Sequence, residues 1–237
     1  MAGFGKPQKH KKSIKQDASR SRTEEAIKQS ITKYQQGDLE GAKISLEKTL
    51  QADHSNSFAL GFLATIEKAL GNNERALKLF KRSTDISQDN SDILHNYSGL
   101  IKEQDPIKAL RLSDQAVHIS PENSRYLERN GYLKWQAGDL DNALEEALKA
   151  ISLNPSLVDA HMNLGGIYKD LGNLDQALAS TLKSLELKPD NPTAHMNLGA
   201  IYQDFGNLDQ ALIHYKKSAK DKKTSKQAAI KLANAYY

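Results

Sequence analysis

The stretch HMNLGGIYKDLGNLDQAL, residues 161–178, returns as HMNLGAIYQDFGNLDQAL at 195–212, an interval of 34 with three differences in eighteen positions. A period of this size is the feature that most constrains the fold. Each unit is a supersecondary motif too small to bury its own apolar face, so neighbours must stack to make a core. One register is marked by Ala42, Ala76, Ala109, Ala143, Ala177 and Ala211, and a second by Ser30, Ala64, Ser98, Gly131, Gly165, Gly199 and Ala233. Both series step by 34 with a single step of 33. They agree only if one residue is missing between Ser98 and Ala109, where KEQDPIKAL lacks the glycine found elsewhere as Gly37, Gly71, Gly138, Gly172 and Gly206.

Within a unit, two stretches of helical period flank a Gly-Asn or Gly-Asp turn. Leu164, Ile167 and Tyr168 follow i, i+3, i+4 spacing in the first, and Leu178, Leu182 and Leu185 give the second an apolar stripe. Gly172 can adopt the positive φ that ends a helix, and Asp175 stands where the second helix is expected to begin. Pro121, Pro155 and Pro189 recur where the second helix stops. The small residues of both registers predict close approach of helix backbones.

This pattern resembles the tetratricopeptide repeat, a 34-residue helix-turn-helix. Leu164, Gly165, Tyr168, Ala177 and Pro189 match its signature, as do Leu198, Gly199, Tyr202 and Ala211. The match is fullest in the fifth and sixth units and good in the fourth. It weakens toward the start, where Ser30 and Ala64 replace Gly and His54 and Gln88 replace Pro. The resemblance implies an all-α protein, a right-handed α-solenoid of tandem helix-turn-helix units. Six repeats are expected at about 23–56, 57–90, 91–123, 124–157, 158–191 and 192–225, followed at 226–237 by a capping helix or incomplete seventh repeat.

Composition narrows the functional classes. The chain has no cysteine, which excludes disulfides, thiolate metal sites and a cysteine nucleophile, and it accords with a reducing, cytoplasmic setting. It has neither an apolar run of membrane-spanning length nor an apolar region behind its basic start, so neither a span nor a secretory signal is expected. Residues 1–22 hold Lys6, Lys9, Lys11, Lys12, Lys15, Arg20 and Arg22 against Asp17 alone, leaving residues 23–237 slightly acidic. That segment reads as a disordered basic tail. Lysine-rich ends without interleaved aromatics predict no specific nucleic-acid partner. No phosphate loop, nucleophile elbow or zincin motif is present, so no enzymatic activity and no cofactor is expected. His161 and His195 recur at the repeat period but on different helices without a suitably spaced third ligand, so they read as packing residues and no metal is expected.

The resemblance further implies that the first helix of each unit lines a concave groove that binds a protein or peptide ligand. One groove-facing column contains Asn96, Arg129, Asn163 and Asn197. An Asn amide both donates and accepts, and so suits recognition of an extended backbone. Arg125 lies one turn before Arg129, and with Asn96 the three resemble part of a clamp that holds a peptide carboxylate. The preceding unit has Gly61 and Thr65 where the clamp pattern expects Lys and Asn, so half of it is missing. Pairing of Arg125 with Asp92 or Asp159 is the structural alternative. Tyr132 and Trp135 continue the same helix and complete the candidate face. The expected function is that of a protein-interaction scaffold. The alternatives are the substrate-recruiting module of a larger enzyme, such as a glycosyltransferase, and self-association through the C-terminal helix.

Overall fold

The computed structural model describes residues 23–221 and 224–235, and among them every regular element is a helix. The basic tail lies outside the described residues, as does Tyr236. Two compact units divide at Ile101. The first contains α1 (23–35), α2 (Leu39–Ala52), α3 (Ser57–Ala69), α4 (Asn73–Ile86) and α5 (Ser91–Ile101). The second contains α6 (Pro106–Ile119), α7 (Ser124–Gln136), α8 (Leu140–Leu153), α9 (Val158–Asp170), α10 (Leu174–Leu187), α11 (Pro192–Asp204), α12 (Leu208–Ser218) and α13 (Ser225–Ala235). Among the described residues, no helix is long and apolar enough to cross a membrane.

The expected helix-turn-helix unit is present. In the second unit α7 packs on α8, α9 on α10 and α11 on α12, while α7 and α11 both also touch α9. Local chemistry fixes the turns. Gly37, Gly71, Gly138, Gly172 and Gly206 all have positive φ between 75° and 84°, a conformation that costs a side-chain-bearing residue about 1–2 kcal/mol. The next helix then starts on an Asp or Asn cap. Asp38 accepts from the Gly41 N–H and Asn207 from that of Gln210. The shortened third repeat has no such glycine. Its α5 has 11 residues where α3, α7, α9 and α11 have 13, and α6 begins with Pro106 behind the Asp105 cap. Proline suits that first position because no intrahelical partner awaits its missing N–H.

The core stripe of the second helices differs from the expected one. In α10 the buried residues are Ala177, Thr181 and Ser184, whereas Leu182 is exposed. The same columns give Ala143, Ala147 and Ala150 in α8, and Ala211, Tyr215 and Ser218 in α12. Small side chains prevail because the partner helices come very close. A Cβ added to Gly165 would lie 2.1 Å from Thr181 Oγ1, and one added to Gly131 would lie 3.2 Å from the Ala143 carbonyl oxygen. In the sixth repeat Tyr215 lies across the backbone of Gly199 and donates its hydroxyl to Gln203 at 2.7 Å.

The first unit carries a charge in its core. Glu67 on α3 is fully buried, accepts from the Asn72 side chain at 2.7 Å, and ion-pairs with Lys43 of α2 at 3.4 Å and Arg75 of α4 at 2.9 Å. It occupies the column that holds Tyr168 and Tyr202 in the later repeats. A single carboxylate there joins three helices where the fifth and sixth repeats have an aromatic ring.

Candidate functional site

The candidate residues fall in both units. Asn96 is on α5 of the first; its Oδ1 lies 3.5 Å from Lys68 Nζ of α3. The clamp positions of that unit provide no cation. Gly61 is covered by Ile93, whose Cδ1 would lie 2.2 Å from an added Cβ, and Thr65 donates to the Gly61 carbonyl at 3.0 Å.

In the second unit, α7 carries Arg125, Arg129, Tyr132 and Trp135, α9 carries Asn163 and α11 carries Asn197. The asparagines are engaged with other helices. Asn163 is only 2% exposed and donates to Glu128 Oε1 of α7 at 2.8 Å. Asn197 is half-buried and donates to the Met162 carbonyl of α9 at 3.4 Å. Each therefore joins its own first helix to the preceding one. The open backbone-reading rung expected at Asn163 is not what the structure places there.

Arg129 takes the same column without that role. It is half-buried, Arg125 one turn earlier is exposed, and among the described residues neither lies within ion-pair distance of a carboxylate. The expected alternative pairing of Arg125 with Asp159 does not form. Glu128, adjacent to Arg129, was missed by the sequence reading. Its signal was an acid beside the asparagine column, where Met162 and Met196 follow in the next two repeats. Burial pushes its carboxyl above the usual range and Asp159 adds to the rise, while Arg129, the Asn163 hydrogen bond and Lys102 act in the opposite sense.

The two aromatics have different surroundings. The Trp135 ring lies over Gly166 of α9, its indole N–H donates to Asp170 Oδ2 at 2.7 Å, and it packs against the cluster of Ala143, Ala147, Leu164 and Ile167. It links α7 to α9. Tyr132 meets Trp135 edge to face at 6.3 Å between ring centres, and on its other side Lys102 Nζ sits 4.5 Å from the ring centre and 3.5 Å from the hydroxyl. Arg125, Arg129 and Tyr132 thus form a half-exposed cationic and aromatic stripe along α7.

The repeat-period histidines bond to loops. His161 donates through Nε2 to the Pro155 carbonyl at 2.9 Å, and His195 to that of Pro189 at 3.1 Å, because a proline carbonyl can only accept. That assignment leaves His195 Nδ1 as the acceptor for His214 Nδ1–H at 3.0 Å. Among the described residues, no three His, Asp or Glu side chains gather as a metal site.

A family profile described as "TPR repeat" matches residues 131–172 and 165–206. The type IV pilus assembly protein PilF of Pseudomonas aeruginosa is 27% identical over 147 residues, which is 60% of this chain and 58% of that protein. The PilF structure superposes with a TM-score of 0.67 at 20% identity, covering 86% of this chain and 93% of that one. The TPR repeat-containing thioredoxin TTL4 of Arabidopsis thaliana is 36% identical over 61 residues, 26% of this chain and 9% of that protein. The chain therefore spans less than two thirds of either curated relative. YrrB, described as a TPR protein with an unusual peptide-binding site, superposes with a TM-score of 0.62 at 21% identity, covering 79% of this chain and 96% of that one. At these identities the structural likenesses establish the fold.

Proposed function

This chain belongs to the tetratricopeptide-repeat family, and from that premise we propose that it is a non-enzymatic interaction scaffold whose ligand, a protein or peptide segment, binds along the first helices of the second unit. The observation that carries this reading is the α7 stripe. Arg125 and Arg129 present guanidinium groups with no salt-bridge partner among the described residues, beside the half-exposed ring of Tyr132. Arg and Tyr are the side chains that most often dominate binding energy at interfaces, and a guanidinium fork can hold a carboxylate bidentately. Where the fifth and sixth repeats spend an Asn on joining helices, this repeat carries an Arg whose charge acts on Glu128 but which forms no salt bridge among the described residues.

The ligand-contacting set is Arg125, Arg129 and Tyr132. Trp135, Asn163 and Asn197 hold the helices that present it, and Asn96 belongs to the other unit. The lack of cysteine supports a cytoplasmic setting.

Two further readings each rest on one observation. The local match to a repeat-containing thioredoxin favours a module that brings substrates to an enzyme. Ile230, 53% exposed on α13, favours self-association through that helix; a mass measurement by light scattering on Ile230→Lys tests it, and an unchanged oligomer rejects it. The test of the main reading is affinity capture from native lysate with the intact chain and with Arg129→Glu, compared by mass spectrometry. Proteins retained by the first and lost by the second support the α7 face as the binding site; identical sets reject it.

A further inference from the structure

The third repeat breaks a charge rule that the others keep. The second residue of the second helix is Glu40, Glu74, Asp141, Asp175 or Asp209 in five repeats, the sign that a helix N-terminus favours. In α6 it is Ile107, and its side chain is 84% exposed, the most of any large apolar residue described. Exposing a branched apolar side chain at a position suited to an acid brings no benefit to the folded chain alone.

Ile107 borders a cavity of about 450 Å³ whose apolar lining is Pro106, Ile107, Leu110, Tyr132, Leu133 and Ala137, with Lys102, Glu103 and Gln136 as its polar members. The cavity borders the shortened turn, where the Gly and Asp or Asn found elsewhere give way to the segment leading to Pro106. The only cation at its edge, among the lining residues, is Lys102, held over the Tyr132 ring and 3.3 Å from Glu103. Tyr132 belongs both to this cavity and to the arginine stripe. With a rise of about 1.5 Å per helical residue, Arg129 lies about 5 Å and Arg125 about 10 Å back along α7 from Tyr132. An extended chain covers those distances in roughly one to four residues.

We propose that this cavity is an anchor pocket, and that its occupant is a partner segment with an apolar side chain of leucine to phenylalanine size and carboxylates one to four residues away. The apolar side chain fills the space between Ile107, Leu110 and Tyr132, and the carboxylates meet Arg129 and Arg125. Charge complementarity selects the acidic partner, since the stripe beyond the pocket presents two guanidinium groups that form no ion pair among the described residues. The inference rests on the binding face proposed above and adds the chemistry of what binds there.

The test is selection of a phage-displayed library of random dodecapeptides on the intact chain, followed by titration of the selected sequences as fluorescein-labelled synthetic peptides. The expected result is a consensus that pairs an apolar residue with nearby acids, with affinity lowered about tenfold or more by Ile107→Gln and, separately, by Arg129→Glu. A companion variant, Ile107→Asp, restores the residue type of the other repeats and is expected to keep the thermal midpoint while losing the peptide. Selected peptides that need Arg129 but bind Ile107→Gln at full affinity overturn the anchor pocket and leave the binding face standing. Peptides indifferent to both variants, or the absence of any enriched peptide, overturn both.

Discussion

Gly166 and Trp135 are coupled, and their energies can be separated. In the next repeat the position of Gly166 is taken by Ala200, and that of Trp135 by Lys169. The structure explains the covariation, since a Cβ on Gly166 would lie 2.2 Å from the Trp135 ring. Within a helix, Gly→Ala ordinarily gains about 1 kcal/mol. Here the methyl forces the ring off α9, an overpacking cost of about 1–3 kcal/mol, and strains the 2.7 Å indole bond to Asp170, worth a further ~1.5 kcal/mol to a charged acceptor. Gly166→Ala is therefore expected to destabilise by about 1.5–3.5 kcal/mol in the natural background. With Trp135→Lys in place the same change is expected to stabilise by about 1 kcal/mol, because only the propensity effect remains. The double-mutant cycle, read by urea unfolding monitored by circular dichroism, should return a coupling of about 2.5–4.5 kcal/mol. Emission from Trp135, the single tryptophan, should also shift to longer wavelength in Gly166→Ala as the ring becomes more exposed. A gain of equal size in both backgrounds would show that the ring does not press on Gly166 and refute the reasoning.

Glu67→Ala strands Lys43, which is largely buried, beside an empty carboxylate site. It is expected to cost about 3 kcal/mol, read as faster hydrogen exchange in α2, α3 and α4 than in α9 and α10; uniform exchange across both units would count against it. Burial, then the neighbouring His195 and then Lys217 lower the His214 pKa to about 4. Below pH 6.5 the unfolded chain binds a proton that the folded chain refuses until about pH 4, so this contribution is complete above pH 6.5 and is lost as the pH falls toward 4. After discounting for partial solvent exposure it amounts to roughly 1–2 kcal/mol. His214→Gln should flatten the pH dependence of the melting temperature in that window, and an unchanged slope would remove the pair from the account. Gly172→Ala, forced to keep a φ of 78°, should lose about 1 kcal/mol by thermal denaturation, whereas no loss would mean that the turn relaxes.

What the sequence made legible was whatever repeats. The alanine register, the turn glycines and the prolines two residues beyond α6, α8 and α10 are each fixed by backbone geometry within a unit, and so they recur at its period. The orientation of the second helix was harder to read. Leu178, Leu182 and Leu185 look like the buried stripe, but close packing on Gly165 reserves that face for Ala177, Thr181 and Ser184. The binding face was legible only in part. Arg129 stood out as the break in a run of Asn at positions 96, 163 and 197, whereas the role of Asn163 depends on Glu128, 35 residues away on another helix. Trp135 could not be assigned from spacing alone, because its partners Gly166 and Asp170 belong to the following repeat. Ile107 is visible as an exception once the helix starts are aligned, yet the cavity it lines brings α6 together with Tyr132 and Leu133 of α7, which spacing alone does not show.

The central claim is that the half-exposed guanidinium of Arg129 binds a partner. Arg129→Asn tests it most directly, because it installs the residue that the fifth and sixth repeats carry at this position and so keeps the fold while removing the charge. Calorimetric titration of a captured partner should show affinity falling about tenfold or more, with the chain still folded and its melting temperature at most modestly lowered as buried Glu128 loses the neighbouring charge. Equal affinity for the intact and Arg129→Asn chains would contradict the account and assign Arg129 to the scaffold alone.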